Sequence, residues 1–194
     1  MSKFRRNILG WLAILGVSLV PAPGREALGA DAPSISGRFL LKDDKGQVVT
    51  DQSYSGKIRV MTFGYTFCPD ICPTTLSTMS EAATKLAAHK DKIVYLFVSV
   101  DPERDSAEQL RTYLESFPGI RGLTGSPALI EGAARNFRVV YERQPAPKDD
   151  PQSYAVDHTA GIYIMGGDGR FLSKLPHIAQ PEDVVSRIKG FLKP

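Results

Sequence analysis

The only two cysteines of this 194-residue chain, Cys68 and Cys72, stand in the stretch FGYTFCPDICPTTL, residues 63–76, with three residues between them. A redox dithiol usually keeps two residues between its sulfurs. A structural disulfide usually joins distant parts of a chain. Closing so short a loop removes little chain entropy, so a staple here would contribute little, and a chain of this length buries a core without one. This weakens the staple and favours an electron-transfer pair or part of a metal site. Thiols at positions i and i+4 face each other if the segment forms a helical turn or a tight loop. A helix N-terminus would lower their pKa and serve either role. Soft thiolates select copper(I), zinc or iron–sulfur clusters. Zinc or a cluster in a closed site takes four protein ligands, so the three histidines decide what two thiolates can hold.

His89 lies in AAHKDK at the end of a predicted helix, where a solvated imidazole is favourable. His177 lies in the loop KLPHIAQP. His158, in YAVDHTAGIYIM, sits between a polar loop and an apolar run, directly after Asp157. It reads either as a structural residue or as a third donor at the mouth of a strand. Asp157 and Asp70 read either as partners that orient the imidazole and tune the site or as a cap and a turn residue.

The elements that must position these residues alternate between strand and helix. ISGRFLL, KDDKGQ and VVT read as strand, turn and strand from Ile35. IRVMTFGY (58–65) and IVYLFVSV (93–100) are nearly continuous apolar runs, the pattern of strands buried on both faces. Pro73 suits the first turn of a helix, with Leu76, Met79, Ala83, Leu86 and Ala87 as its core face. A second helix is predicted over 105–117, with Asp105 and Glu108 as a capping box, and a third over 127–137 behind Ser126-Pro127. FRVVYERQ reads as a strand and PAPKDDPQS as a loop. HTAGIYIM and RFLSKL read as two strands around the turn Gly166-Gly167-Asp168-Gly169, and 181–192 as a closing helix. This order predicts an α/β domain with a central sheet covered on both faces. The cysteines then fall where a central strand ends and a helix begins, where ligands bind in such sheets.

Residues 1–30 carry Lys3, Arg5, Arg6 and Arg25 against Glu26, which accounts for the whole net charge of +3. The balanced remainder has no basic footprint for nucleic acid. Residues 1–30 read as a signal peptide or membrane anchor: a charged start, an apolar stretch from Ile8 to Val20 shorter than a spanning helix, then Pro21, Pro23 and Gly24. Residues 31–34 read as a linker and 35–194 as one domain. The chain is expected to be exported, periplasmic or held on the outer face of a bacterial inner membrane, and monomeric.

GYTFCPDICPTTL, SVDPERD and VDHTAGIYIM together resemble the Sco/SenC family of copper chaperones, from about Ile35 to Leu192. The resemblance implies a thioredoxin-like fold: a central mixed sheet flanked by helices, an added N-terminal β-hairpin, and a loop inserted before the histidine. It implies copper, as Cu(I), Cu(II) or both, held by Cys68, Cys72 and His158, with Asp70 and Asp157 as candidate supporting partners. It implies a role in maturing the dinuclear copper centre of cytochrome c oxidase subunit II, with other copper chaperones as further partners. The alternative it carries is thiol–disulfide exchange, Cys68 attacking a partner's disulfide and Cys72 resolving it. SVDPERD is expected to be structural, with Asp101 and Pro102 ending a strand and Asp105 capping a helix. The loop 144–156 is expected to swing His158 in and out. The departures, the turn MGGDGR and Thr159, lie away from the three donors or beside them without replacing one.

Overall fold

In the computed structural model, which describes residues 34–192, the two apolar runs form the centre of the sheet. Strands β3 (Ile58–Gly64) and β4 (Ile93–Ser99) are buried at every residue. They pair in parallel from Ile58↔Ile93 to Gly64↔Ser99. Successive side chains of a strand point to opposite faces, so each strand feeds two cores. Met61, Phe63, Leu96 and Val98 join the cluster on one face, and Ile58, Val60, Tyr95 and Phe97 the cluster on the other.

Around this pair lie β1 (Leu40–Asp43), β2 (Val48–Thr50), β5 (Ile120–Thr124), β8 (Ile162–Met165) and β9 (Phe171–Leu175). The seven strands run in the order β2-β1-β5-β4-β3-β8-β9, with β3, β4 and β5 parallel and the outer pairings antiparallel. Helices α1 (Ile71–Lys85), α2 (Ala107–Leu114) and α4 (Pro181–Phe191) cover one face through residues such as Leu76, Met79, Leu110 and Val184. Helix α3 (Pro127–Phe137) covers the other through Ile130, Ala133, Ala134 and Phe137. The predicted mixed α/β sheet with an N-terminal hairpin, β1–β2, is what forms. No helix among the described residues is long and apolar enough to cross a membrane. The segment 1–30 lies outside the described residues.

Several boundaries differ from the sequence reading, each for a local reason. Helix α1 starts at Ile71, with Asp70 in the cap position; Pro73 is its third residue, still among the first four whose N–H groups lack helical partners. The helix ends at Lys85, so Leu86 still packs into the core while Ala87 is exposed. Helix α2 is shorter than 105–117, and its cap is Ser106, whose Oγ accepts from Gln109 N at 3.1 Å. Asp105 is not the cap, because its carboxylate is committed elsewhere. FRVVYERQ yields only a short strand, β6 (Tyr141–Arg143), because α3 runs to Phe137 and Arg138 turns into the left-handed region at φ 57°. HTAGIYIM is not one strand. His158 ends a separate strand, β7 (Val156–His158), and Gly161, at φ 138°, bends the chain before β8 begins. Strands β6 and β7 form their own antiparallel hairpin outside the main sheet.

Candidate metal centre

The cysteine segment leaves the carboxyl end of β3, an inner strand with β4 on one side and β8 on the other. Val100 N donates to Gly64 O at 2.8 Å, and four residues on, Cys68 N donates to Tyr65 O at 3.2 Å to close a turn. That turn is tied to the end of β4 by Asp105, a carboxylate with no solvent exposure. It accepts from Thr66 N (3.1 Å), Thr66 Oγ1 (2.6 Å) and Ser99 Oγ (2.6 Å). A buried carboxylate with three donors is what the sequence reading missed when it assigned Asp105 to a helix cap.

Cys68 lies in the turn, half-buried, and Cys72 is the second residue of α1 and buried. The two are therefore not on one helical face; a loop and a helix end bring them together. Gly64 makes room for the second sulfur. A Cβ at position 64 would stand 2.5 Å from Cys72 Sγ and 2.9 Å from Phe97 Cε2, so this position must lack a side chain.

His158 arrives from the opposite direction. In the β6–β7 hairpin it pairs with Tyr141, and Thr159 N donates to Val140 O at 2.9 Å just beyond it. Its Nε2 lies 3.6 Å from Cys72 Sγ and its Nδ1 3.4 Å from Thr159 O. With Nδ1–H assigned as donor to that carbonyl, Nε2 presents its lone pair to the sulfurs. The ring stands edge-on to Tyr65, centroids 6.1 Å apart at 88°. Cys68, Cys72 and His158 bring their donor atoms within 4.8 Å of one another, the group of metal-ligating side chains found among the described residues.

The two thiols are not equivalent. A hydrogen bond from the Cys72 thiol holds the Cys68 sulfur as thiolate, with its pKa drawn down to about 5. The backbone amides of Asp70 and Cys72 assist, against the opposing effect of burial. The same hydrogen bond, followed by burial, pushes Cys72 far up. The half-exposed sulfur is thus the charged one, and the buried sulfur keeps the proton that a soft metal would displace.

The proposed supporting residues do not reach the imidazole. Asp157 is exposed, and its Oδ2 accepts from Gln144 Nε2 at 2.8 Å. Asp70 is exposed and makes no side-chain cap; what it contributes is its backbone, the amide towards Cys68 and the carbonyl that accepts from Thr74. The groups beside the ring are instead the Thr159 carbonyl and Tyr65. His89, in a short 3-10 turn after α1, and His177, in the loop before α4, are not in the cluster. Nor is the loop before His158 a free strap. Gln144 N donates to Ala155 O at 2.8 Å, and Arg104 Nη1 donates to Gln152 O and Tyr154 O at 2.9 and 3.0 Å, so its return limb is pinned.

Comparison with known proteins gives one consistent answer. A sequence profile of SCO1/SenC matches residues 28–193. The structure of Bradyrhizobium japonicum ScoI with copper bound superposes with a TM-score of 0.75 at 42% identity, covering 82% of this chain and 100% of that one. A Sco protein, BsSco, solved in a study of its disulfide switch and described as a cytochrome c oxidase assembly protein, superposes at 0.64 with 26% identity, over 84% and 96% of the two chains. The mouse mitochondrial SCO1 homolog is 37% identical over 164 residues, 83% of this chain, which spans 57% of that protein's length.

Proposed function

Starting from the premise that this chain belongs to the SCO1/SenC family, we propose that it is a copper-binding assembly factor for cytochrome c oxidase, with copper as its cargo. The observation that carries this reading is the Cys68–Cys72–His158 cluster, two sulfurs and one nitrogen within 4.8 Å. Two thiolates and a neutral imidazole form a soft donor set that suits copper(I). Three donors leave an open position, where a closed zinc site would need a fourth. The Cys68 thiolate, half-exposed and charged well below neutral pH, is the first contact for an incoming ion. Cys72 gives up its proton as the ion settles, and His158 Nε2 completes the set. Transfer to a partner follows by ligand exchange, the exposed sulfur leaving last or first according to which side the partner approaches.

We further assign the dinuclear copper centre of subunit II as the client. Residues 1–30 serve as signal peptide or membrane anchor, 31–34 as a linker, and 35–194 as a monomeric domain working outside the cytoplasm. The relatives support an exported or membrane-anchored setting: one solved member is a bacterial lipoprotein and others are mitochondrial. Thiol–disulfide exchange alone is not favoured, since it gives no role to an imidazole packed against the buried sulfur.

The test is copper titration of the reduced protein with Cys68, Cys72 and His158 each replaced in turn. One equivalent should bind the native chain, and each substitution should weaken or abolish it. Stoichiometric binding of undiminished affinity in all three variants would overturn the ligand assignment.

A further inference from the structure

Arg104 belongs to neither the cysteine motif nor the histidine segment, yet it touches both. Its guanidinium carbon lies 3.5 Å from the ring centroid of Tyr154, 4.6 Å from that of Phe67 and 5.5 Å from that of Tyr65. Phe67 directly precedes Cys68, and Tyr65 stands edge-on to the His158 ring. Tyr154 lies two residues before β7. The edges of the same guanidinium are also engaged. Nη1 donates to the carbonyls of Gln152 and Tyr154, and Nε donates to Asp101 Oδ2 at 2.5 Å, while Tyr154 Oη donates to Asp101 Oδ1 at 2.7 Å. A second cation, Arg143 at the end of β6, lies 3.6 Å from the Tyr154 centroid and pairs with Glu103 at 2.8 Å. Two guanidiniums this close to one centroid must occupy opposite faces of the ring. The side chains of Asp101 and Arg104 are 5% and 7% exposed, so this pair is shielded from water.

We propose that Arg104 is a positioning residue for His158: it locks residues 152–154 against the end of β4 and so holds the imidazole over Cys72 before any metal arrives. This rests on the reading of Cys68, Cys72 and His158 as copper ligands. The chemistry requires arginine. Its flat fork donates in several fixed directions while its face stacks on aromatic rings, whereas lysine offers a point charge on a flexible stem. A lysine could reach Asp101 but could not also grip two carbonyls and lie on Tyr154. Arg104 Nη2 is buried without a hydrogen-bond partner among the described residues. A buried orphan donor is a cost, which the fold carries here in exchange for the geometry of the other two nitrogens. A ligand placed in advance spares the ordering that a mobile one must undergo at each binding event.

The experiment uses the full, reduced chain as native, Arg104→Lys, His158→Ala and the double variant. Copper(I) affinity is read against a chromogenic chelator, and amide hydrogen exchange is read on the metal-free protein. Arg104→Lys should weaken copper(I) binding by about tenfold, the lower end for groups that orient a ligand, and should add nothing on the His158→Ala background. In the metal-free protein the Gln144 and Thr159 amides should exchange faster, with the β3–β4 ladder unchanged. Tyr154→Leu, which keeps the Arg104–Asp101 pair, should give the same pattern and serves if Arg104→Lys does not fold. An equal loss of affinity in both backgrounds, or unchanged exchange at Gln144 and Thr159, would overturn the proposal. Should His158→Ala alone leave copper affinity intact, the ligand assignment falls, and the exchange data still decide whether Arg104 holds the segment.

Discussion

At the scale of single residues, Gly64 sets how near the buried sulfur comes to the sheet. With a Cβ there 2.5 Å from Cys72 Sγ, Gly64→Ala must displace the sulfur, the helix start or Phe97. Overpacking of this kind costs about 1–3 kcal/mol, which urea unfolding should read, and copper(I) affinity should fall with it. The Cys68 thiol makes a second prediction. Because its pKa is drawn down to about 5, alkylation of Cys68 in the reduced metal-free protein should reach half its plateau near pH 5, and Cys72→Ser should move that midpoint. The sign for stability follows. An acid with a depressed folded pKa favours the fold fully above its ordinary pKa of 9.0, and this contribution disappears as pH falls towards about 5. Cys72, shifted the other way, opposes the fold once pH exceeds its own ordinary value. Unfolding of the reduced protein followed from pH 5 to 10 should therefore show the dithiol's contribution rising to about pH 9 and turning down beyond it; a Cys68→Ser, Cys72→Ser double variant supplies the baseline. Cys68, Cys72 and His158 could be singled out by residue type, the histidine only as one of two readings, and their meeting within 4.8 Å is seen in the structure. Gly64, Asp105 and Arg104 were not legible, because each acts through contacts that no local pattern announces: an absent side chain, a carboxylate turned inward, and a guanidinium shared by three rings.

At the scale of elements, the buried strands and the four helices could be read from apolar runs and periodicity, and their ends could not. Asp105 and Ser106 are both good caps by type; the structure gives the cap to Ser106 and sends Asp105 to Thr66 and Ser99. Asp105→Ala would strand three donors in a buried place, at about 1–3 kcal/mol for each left unsatisfied. A lower melting temperature with faster exchange of the Thr66 amide should result, and an unchanged Thr66 amide would count against the tie. The placement of His158 on a hairpin of its own was also hidden. The apolar run from Ile162 reads backwards into the histidine until Gly161, at φ 138°, is seen to separate them. That separation matters for the site. The imidazole sits on a two-stranded unit whose register with Tyr141 and whose tether at Arg104 can be adjusted without disturbing β8 in the central sheet.

At the scale of the whole molecule, copper binding and folding share one free energy. A ligand that binds only the native state at a hundred times its dissociation constant adds about 2.7 kcal/mol to stability. Calorimetry should show a higher melting temperature with one equivalent of copper(I), its return to the metal-free value on chelation, and a much smaller rise in His158→Ala. Cys72 and His158 are separated by 86 positions along the chain yet stand 3.6 Å apart. Ribosomes deliver residues in order, at about 5–20 per second, so the thiols exist for several seconds before the imidazole has been made. During that interval neither α4 nor the β8–β9 edge has been synthesised. The Cys68–Cys72–His158 cluster therefore cannot assemble until residue 158 has emerged, well after β3, α1 and β4 have been made.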